Sequence, residues 1–303
     1  MPGGRPLRPV LIAGPTASGK SALALAIAER DHGWVINADA SQVYHCWRVL
    51  TARPDDADLA RAPHRLYGHV PCDQRHSTGD WLRSVGDVIA EARAAGARPV
   101  IVGGTGLYFT ALTEGLAEIP PIPAAVRARS QVLLRDGHVA ALLRDLERDD
   151  PATHALIDRD NPMRVQRAWE VLAATGRGLA AWHGETPAPV VRDAVKLVVD
   201  PEITSLNNNI TSRFRIMLKH GAIDECVRFL HLGLDPALPA GRVIGAAQLF
   251  AYLRNETTLD EAAAAAITAT RQYAKRQRTW LRNRMADWRR LDPGTGLDAV
   301  PPA

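Results

Sequence analysis

Three groups of residues have the types and spacing to do chemistry. The first is Gly14-Pro15-Thr16-Ala17-Ser18-Gly19-Lys20-Ser21, which fits G-x-x-x-x-G-K-[ST]. A loop of this kind turns successive backbone N–H groups toward a phosphate and sets a helix N-terminus behind it. Gly14, Thr16, Ala17, Ser18 and Gly19 would form the cradle, Lys20 would add a mobile charge, and Ser21 would offer a hydroxyl to Mg2+. Only Lys20, Lys196, Lys219 and Lys275 are lysines among 37 basic residues, so a lysine at this spot points to a need for a compact ammonium. The second group is Asp39 with Thr105. Asp39 follows the apolar run at 34–37, and open parallel sheets gather their sites at the carboxyl ends of strands. Its bland alternative is a helix N-cap. A hydrolytic ATPase would place a carboxylate at the end of an apolar strand. The strand expected at 99–102 is followed instead by Gly103-Gly104-Thr105-Gly106, a close-approach backbone with a hydroxyl. The third group is cationic. Residues 271–290 hold eight Lys and Arg against the single acid Asp287, a local charge of +7 in a chain whose net charge is +4. That concentration suits a polyanionic partner.

The elements that must position these groups follow an α/β rhythm. Strands are expected at 10–13, 34–39 and 99–102, and helices at 21–30, 80–97 and after Gly106. The fold class expected is therefore α/β: a P-loop core with a parallel sheet flanked by helices, plus an all-helical insertion. The run Ile119-Pro120-Pro121-Ile122-Pro123 ends the rhythm. From 123 to 178 there is no strand candidate, and helices are expected at 124–135, 139–148 and 162–175, with Trp169 and Trp182 in the insertion's core. Strand character returns at 194–200. The expected division is 1–120 and 191–303 for the two parts of the core and 121–190 for the insertion. Thr258-Leu259-Asp260-Glu261 is a capping box that opens a C-terminal helix. On that helix Arg271, Lys275, Arg278, Arg282 and Arg289 would share an arc of roughly 60°, with Tyr273, Trp280 and Trp288 opposite. A disordered end is expected from Asp292 to Ala303.

Composition excludes several classes. At 46% hydrophobic and 23% charged residues, the chain is not an extended disordered protein. No stretch is long and apolar enough to suggest a membrane span, and 1–9 lacks the apolar run of a signal peptide. Cys46, Cys72 and Cys226 form no C-x-x-C pair, so neither a disulfide framework nor a zinc site is expected and the cytoplasm is the default compartment. The ten histidines show no metal-ligand spacing and are expected to be structural or on the surface.

Taken together, the motifs resemble the tRNA dimethylallyltransferase family. The matching segments are 13–21 (AGPTASGKS), 38–44 (ADASQVY), 51–54 (TARP), 102–109 (VGGTGLYF), 161–171 (NPMRVQRAWEV), 213–218 (RFRIML) and 269–281 (ATRQYAKRQRTWL). The resemblance implies transfer of a dimethylallyl group from dimethylallyl diphosphate to an adenosine amine beside the tRNA anticodon, with Mg2+ as cofactor. It implies Asp39 and Thr105 as catalytic residues. It also implies a nucleotide-holding segment Asp39, Ala40, Ser41 and Gln42, and tRNA contacts at Thr105, Arg127, Arg164, Gln166, Arg167 and Arg242. Arg271, Lys275, Arg278 and Arg282 complete the expected tRNA-facing set, and a monomer is expected. The chain departs from the family pattern in four places. Asp39-Ala40-Ser41-Gln42 stands for D-S-[M/A]-Q, and Leu50-Thr51-Ala52-Arg53-Pro54 for G-T-A-K-P. Ile244-Gly245-Ala246-Ala247-Gln248 stands for I-G-Y-[KR]-[EQ], and Asn209 replaces a common Arg. Two competing functions remain at this level. A small-molecule P-loop kinase would use the same cradle and Asp39 but leave the basic helix idle. A GTPase-like switch would need an N-K-x-D motif, which is missing.

Overall fold

The computed structural model describes residues 7–235, 238–293 and 297–302. The chain divides into two compact units, Met1–Thr113 with Val190–Ala303, and Glu114–Pro189.

In the first unit, β1 (Val10–Ala13), α1 (Lys20–Arg30), β2 (Trp34–Asn37), α2 (Asp56–Arg61), β3 (His64–Arg65), α3 (Thr78–Ala94), β4 (Pro99–Gly103) and the start of α4 (Gly106–Glu114) follow in order. The sheet is six-stranded in the order β3-β2-β4-β1-β5-β6, and every pairing is parallel. Its fifth strand, β5 (Val195–Val199), lies on the far side of β1 from β4, and β6 (Arg289–Leu291) closes that edge. Successive strand residues face opposite layers. Leu11, Ile36, Ile101 and Val198 pack with Trp81, Val85, Phe109 and Leu112 of α3 and α4. Val10, Ile12, Val35, Val100 and Leu197 pack with Leu25 and Ile27 of α1 on the other face. Near-continuous apolar strands are what a sheet covered on both faces requires.

The second unit is all-helical: α5 (Ala124–Arg135), α6 (Val139–Asp149), α7 (Pro151–Leu156), α8 (Pro162–Thr175) and α9 (Leu179–His183). Asn161 caps α8, its side chain accepting from the N–H groups of Met163 and Arg164. Leu142, Leu146, Val165 and Trp169 form its core; Trp182 is half-buried against the Arg177 guanidinium, 4.6 Å away, rather than in that core.

The first unit is completed by α10 (Ile203–Lys219), α11 (Ala222–His231), α12 (Ala246–Leu253) and α13 (Leu259–Arg284). A separate apolar cluster, in which Trp47 stacks on Phe229 at 4.7 Å, packs these helices on the 43–52 loop. The capping box at Thr258 and Glu261 opens α13 as expected.

Three expectations are corrected. Helix α13 stops at Arg284, so Arg289 and Trp288 lie beyond it and leave the proposed helical stripe. The C-terminal end is ordered where it is described: Leu297–Ala299 form a 3-10 turn, Val300 is buried, and Arg30 and Arg98 hold the carbonyls of Leu297, Val300 and Pro301. Cys46 and Cys72 form a disulfide with a Cα–Cα distance of 6.3 Å. An isolated bridge between Tyr44 and Val70 sets these two loops side by side, a pairing that residue spacing along the chain could not show.

Candidate active site

The glycine-rich loop connects β1 to α1. Gly19 stands at the helix N-cap with φ 86°, a left-handed conformation open to glycine at little cost. Ala17 adopts φ 62° without that freedom, so the loop holds local strain. Lys20 begins α1 and is buried; its Nζ donates to the Pro15 carbonyl at 3.0 Å. Burial pushes the ammonium down to about 8, against the attraction of Asp39 and with help from the Arg213 charge. Asn209, on α10, donates its amide to the Ala17 carbonyl at 3.3 Å, so this departure from the family pattern still meets the loop. Ser18 Oγ is buried without a hydrogen-bond partner among the described residues, and Ser21 stands exposed in the first turn of α1. Of the two, Ser21 lines the cavity described below, and its hydroxyl oxygen fits the hard-oxygen demand of Mg2+.

Asp39 sits two residues past β2. Asn37 fixes the turn: its Oδ1 accepts from the Asp39 N–H at 2.9 Å, and its Nδ2 donates to the carbonyls of Asp39 and Leu66, both at 3.0 Å. Asp39 Oδ1 accepts from the Ser41 N–H at 3.0 Å and from Ser41 Oγ at 2.6 Å. The hydroxyl that meets this carboxylate comes from Ser41, next to the Ala40 departure. Thr105 approaches from the turn after β4. Its Oγ1 accepts from the Ala40 N–H at 2.9 Å, and its N–H donates to the Ala38 carbonyl at 3.2 Å. Gln42 donates to the carbonyls of Thr51 and Ala52 at 2.9 and 3.0 Å. Arg53, where the family carries Lys, turns its guanidinium toward the carbonyls of Tyr44, His45 and Trp47 and serves the loop from behind.

These groups share one cavity of about 380 Å³. Thr16, Ala17, Lys20, Ser21, Asp39, Ala40, Ser41, Gln42 and Arg242 line it. Gly14, Ser18 and Gly19 shape the loop behind, and Thr105 acts on the wall through Ala40. An apolar wall comes from Leu50, Ile210, Phe214, Met217 and Val243, with Tyr67 and Tyr273 beside it. Burial and the Asp39 charge raise both phenols, which therefore stay neutral. Sequence reasoning passed over Arg213, which also lines the cavity. It lies one helical turn after Asn209, inside the quoted 213–218 segment, so the i, i+4 spacing was the signal available. His76 lines the cavity as well, half-buried with Nε2 unpartnered among the described residues, contrary to a purely structural or surface reading of the histidines.

The remaining expected residues are not among those that line this cavity. Arg271, Lys275 and Arg282 are exposed on α13, with Arg271 donating to Thr211 Oγ1 at 2.9 Å. Arg278 is engaged by Asp200 at 2.8 Å, which subtracts it from the open cationic set. In the helical unit, Arg164 and Arg167 are exposed and Arg127 is half-buried. Gln166 is buried instead, donating to Ser130 Oγ at 2.9 Å and Glu170 Oε1 at 3.1 Å, because it faces α5 from the inner side of α8.

A parallel α/β sheet, a lysine-bearing phosphate loop and a carboxylate on one cavity wall define a P-loop enzyme that works on a phosphorylated small molecule. Comparison with known proteins narrows the class. The IPP transferase family model matches residues 42–284, and an isopentenyl transferase model matches residues 8–70. The chain belongs to the IPP transferase family. It is 57% identical over 290 residues to the tRNA dimethylallyltransferase of Dinoroseobacter shibae, covering 95% of this chain and 96% of that one. A Cereibacter sphaeroides tRNA dimethylallyltransferase is also 57% identical, over 94% of this chain and 88% of its own length. Among solved structures, the tRNA isopentenylpyrophosphate transferase of Bacillus halodurans superposes with a TM-score of 0.68 at 30% identity, over 96% of this chain and 92% of that one. A eukaryotic dimethylallyltransferase acting on tRNA shares the fold, with a TM-score of 0.81 at 24% identity over 95% of this chain and 74% of that one.

Proposed function

We propose that this prenyltransferase moves a dimethylallyl group from dimethylallyl diphosphate to the exocyclic amine of the adenosine 3′ of the anticodon, in tRNAs reading U-initial codons. The observation that carries the reading is Lys20 and Asp39 on one cavity wall in a chain of the IPP transferase family.

The allylic C–O bond breaks with its electron pair leaving on the diphosphate. The N–H groups of Lys20 and Ser21 at the start of α1 and the Lys20 ammonium face the charge that develops there. Arriving diphosphate favours the protonated form of Lys20 and so offsets the effect of burial. Arg213 adds a second cation from α10. Mg2+, when bound, would neutralise diphosphate charge, with the Ser21 hydroxyl as its donor from this chain. The amine nitrogen forms the new C–N bond and gives up a proton to Asp39. Ser41 engages Oδ1, so the proton goes to Oδ2. The adenine leaves its stack to reach such a cavity, where Gln42 and Ala40 hold it. The exposed Arg271, Lys275 and Arg282, with Arg242 at the cavity and Arg127, Arg164 and Arg167 of the insertion domain, take phosphates of the anticodon stem-loop and position it without reading sequence. Among the described residues no helix is long and apolar enough to cross a membrane. We place the reaction in the cytoplasm, carried out by one chain, which supplies both the cradle and the carboxylate.

Incubation with tRNA and labelled dimethylallyl diphosphate, beside a parallel reaction with labelled ATP, tests the proposal. Label enters RNA from the prenyl donor only. Label appearing on RNA or a metabolite from ATP alone would replace it with the kinase reading.

A further inference from the structure

Gln277 belongs to none of the chemical groups above, yet it touches two of them. It is buried on α13, and its side-chain amide is used at both ends. Oε1 accepts from the Thr16 N–H of the phosphate loop at 2.9 Å. Nε2 donates to the Gly104 carbonyl, in the turn after β4, at 2.9 Å. We infer that Gln277 is a positioning residue that holds the phosphate loop and the Gly103–Thr105 turn at a fixed separation, and so sets the leaving diphosphate against the proton-accepting carboxylate.

The turn has no slack around this amide. A Cβ at Gly104 would strike Gln277 Nε2 and stand 3.2 Å from Asp39 Oδ2, so the amide and the carboxylate crowd the same side of the backbone at 104. The next residue, Thr105, accepts from Ala40 and donates to Ala38. One line of contacts therefore runs from the Thr16 N–H through Gln277, Gly104 and Thr105 to the two neighbours of Asp39. One helical turn further along α13, the Trp280 ring packs on Gly106 so closely that a Cβ there would strike it, so the helix touches this turn at a second point.

The residue type is as telling as its place. The joint needs one acceptor, for Thr16, and one donor, for Gly104. A glutamine provides both without adding charge between Lys20, Arg213 and Asp39. Arginine or lysine could not accept, and an ionised carboxylate could not donate. Transfer between two reactants depends steeply on their separation, and a misplacement of about 1 Å costs on the order of a hundredfold in rate. A two-ended amide joint controls that kind of distance.

The inference rests on the cavity being a diphosphate-releasing transfer site, and its test separates the two. Gln277→Met keeps side-chain volume and removes both hydrogen bonds. The expected result is a fall in kcat of about thirtyfold and a rise in the Kd for inorganic diphosphate of about tenfold. The Kd for tRNA should stay within about twofold, because the exposed cations of α13 are untouched. Retention of kcat and diphosphate affinity would overturn the role. So would a parallel loss of kcat, diphosphate affinity and tRNA affinity, which marks general damage to the fold. If Gln277→Met does not fold, Gly104→Ala presses on the same amide from the other side. It should show the same selective loss, and an unaltered Gly104→Ala enzyme would overturn the role. A wild-type protein that transfers no prenyl group defeats the proposed function alone, since the diphosphate comparison still decides the joint.

Discussion

Ser41 Oγ donates to Asp39 Oδ1 at 2.6 Å, and the Ser41 N–H donates to the same oxygen at 3.0 Å. The carboxylate that we propose receives the amine proton is thus tied on one oxygen by the residue two places along. This local ring leaves Oδ2 on the side of Gly104. Ser41→Ala removes the shorter bond and leaves the backbone bond in place. A hydrogen bond to a charged group is worth about 1.5–3 kcal/mol. The single-turnover rate should therefore fall about tenfold, with tRNA affinity unchanged in filter binding. Asp39→Asn should fall further, by about 10²–10⁴. A Ser41→Ala enzyme at full rate would show that the hydroxyl does not orient the base.

Lys20 is almost fully enclosed, and its ammonium already leans on the Pro15 carbonyl. Lys20→Ala should lower kcat about 10²-fold or more, the scale found when one stabilising group is removed from developing charge. Lys20→Arg should not rescue it, since a planar fork does not fit a buried site built around a point charge. Rapid-quench measurement of label transfer checks both; recovery by arginine would assign Lys20 a nonspecific electrostatic role.

The phosphate loop, the sheet strands 10–13, 34–37 and 99–103 and the three long insertion helices were legible because their signals are local. Glycine, lysine and serine at fixed offsets, apolar runs and capping residues all act within a few positions. What escaped notice depends on distance along the chain. Gln277 meets Thr16 across 261 positions and Gly104 across 173. The Arg278–Asp200 pair and the Cys46–Cys72 bridge likewise join segments that no local pattern links. Strand β6 is three residues long with two exposed arginines, and only its register beside β5 makes it a strand. The charge stripe on the last helix was half right for the same reason. Helical spacing located Arg271, Lys275 and Arg282 on the surface, but could not show where the helix ends or which arginine has an acid waiting for it.

Asp31 anchors the opposite end of the sheet. Its oxygens accept from Arg30 Nε at 2.7 Å and from Arg98 Nη1 at 2.6 Å, and Arg98 is 2% exposed. Burial pushes the Asp31 carboxyl upward, but the combined hydrogen bonds and charges of Arg30 and Arg98 outweigh it and hold the carboxyl below its usual range. The stabilisation is therefore complete above the unfolded value of about 3.9 and is lost as pH falls through the lower folded one. Asp31→Asn leaves the Arg98 charge buried, at a cost of about 3 kcal/mol at pH 7. Urea midpoints of the two proteins should differ widely at pH 7 and converge in acid. A constant difference across that range would remove the ion pair from the account.

Glu225 is the hidden support of the cavity wall that Gln42, Leu50, Thr51 and Ala52 form. It is 3% exposed on α11, and its carboxylate accepts from the N–H groups of Arg48, Val49 and Leu50 at 2.7, 2.8 and 2.9 Å. Those three residues lead directly into Thr51 and Ala52, whose carbonyls hold the Gln42 amide. Removing the carboxylate leaves three backbone donors without their acceptor, so Glu225→Ala should lose about 3 kcal/mol in urea unfolding. Glu225→Gln is the sharper test. Its oxygen still accepts from two donors, while its NH2 group faces the third, so the cost to stability falls to about 1–2 kcal/mol. The loop is nevertheless displaced, and Gln42 with it. The KM for tRNA should rise several-fold while the Kd for inorganic diphosphate stays level. Equal loss of both affinities would mean that Glu225 maintains the fold as a whole and does not act through Gln42.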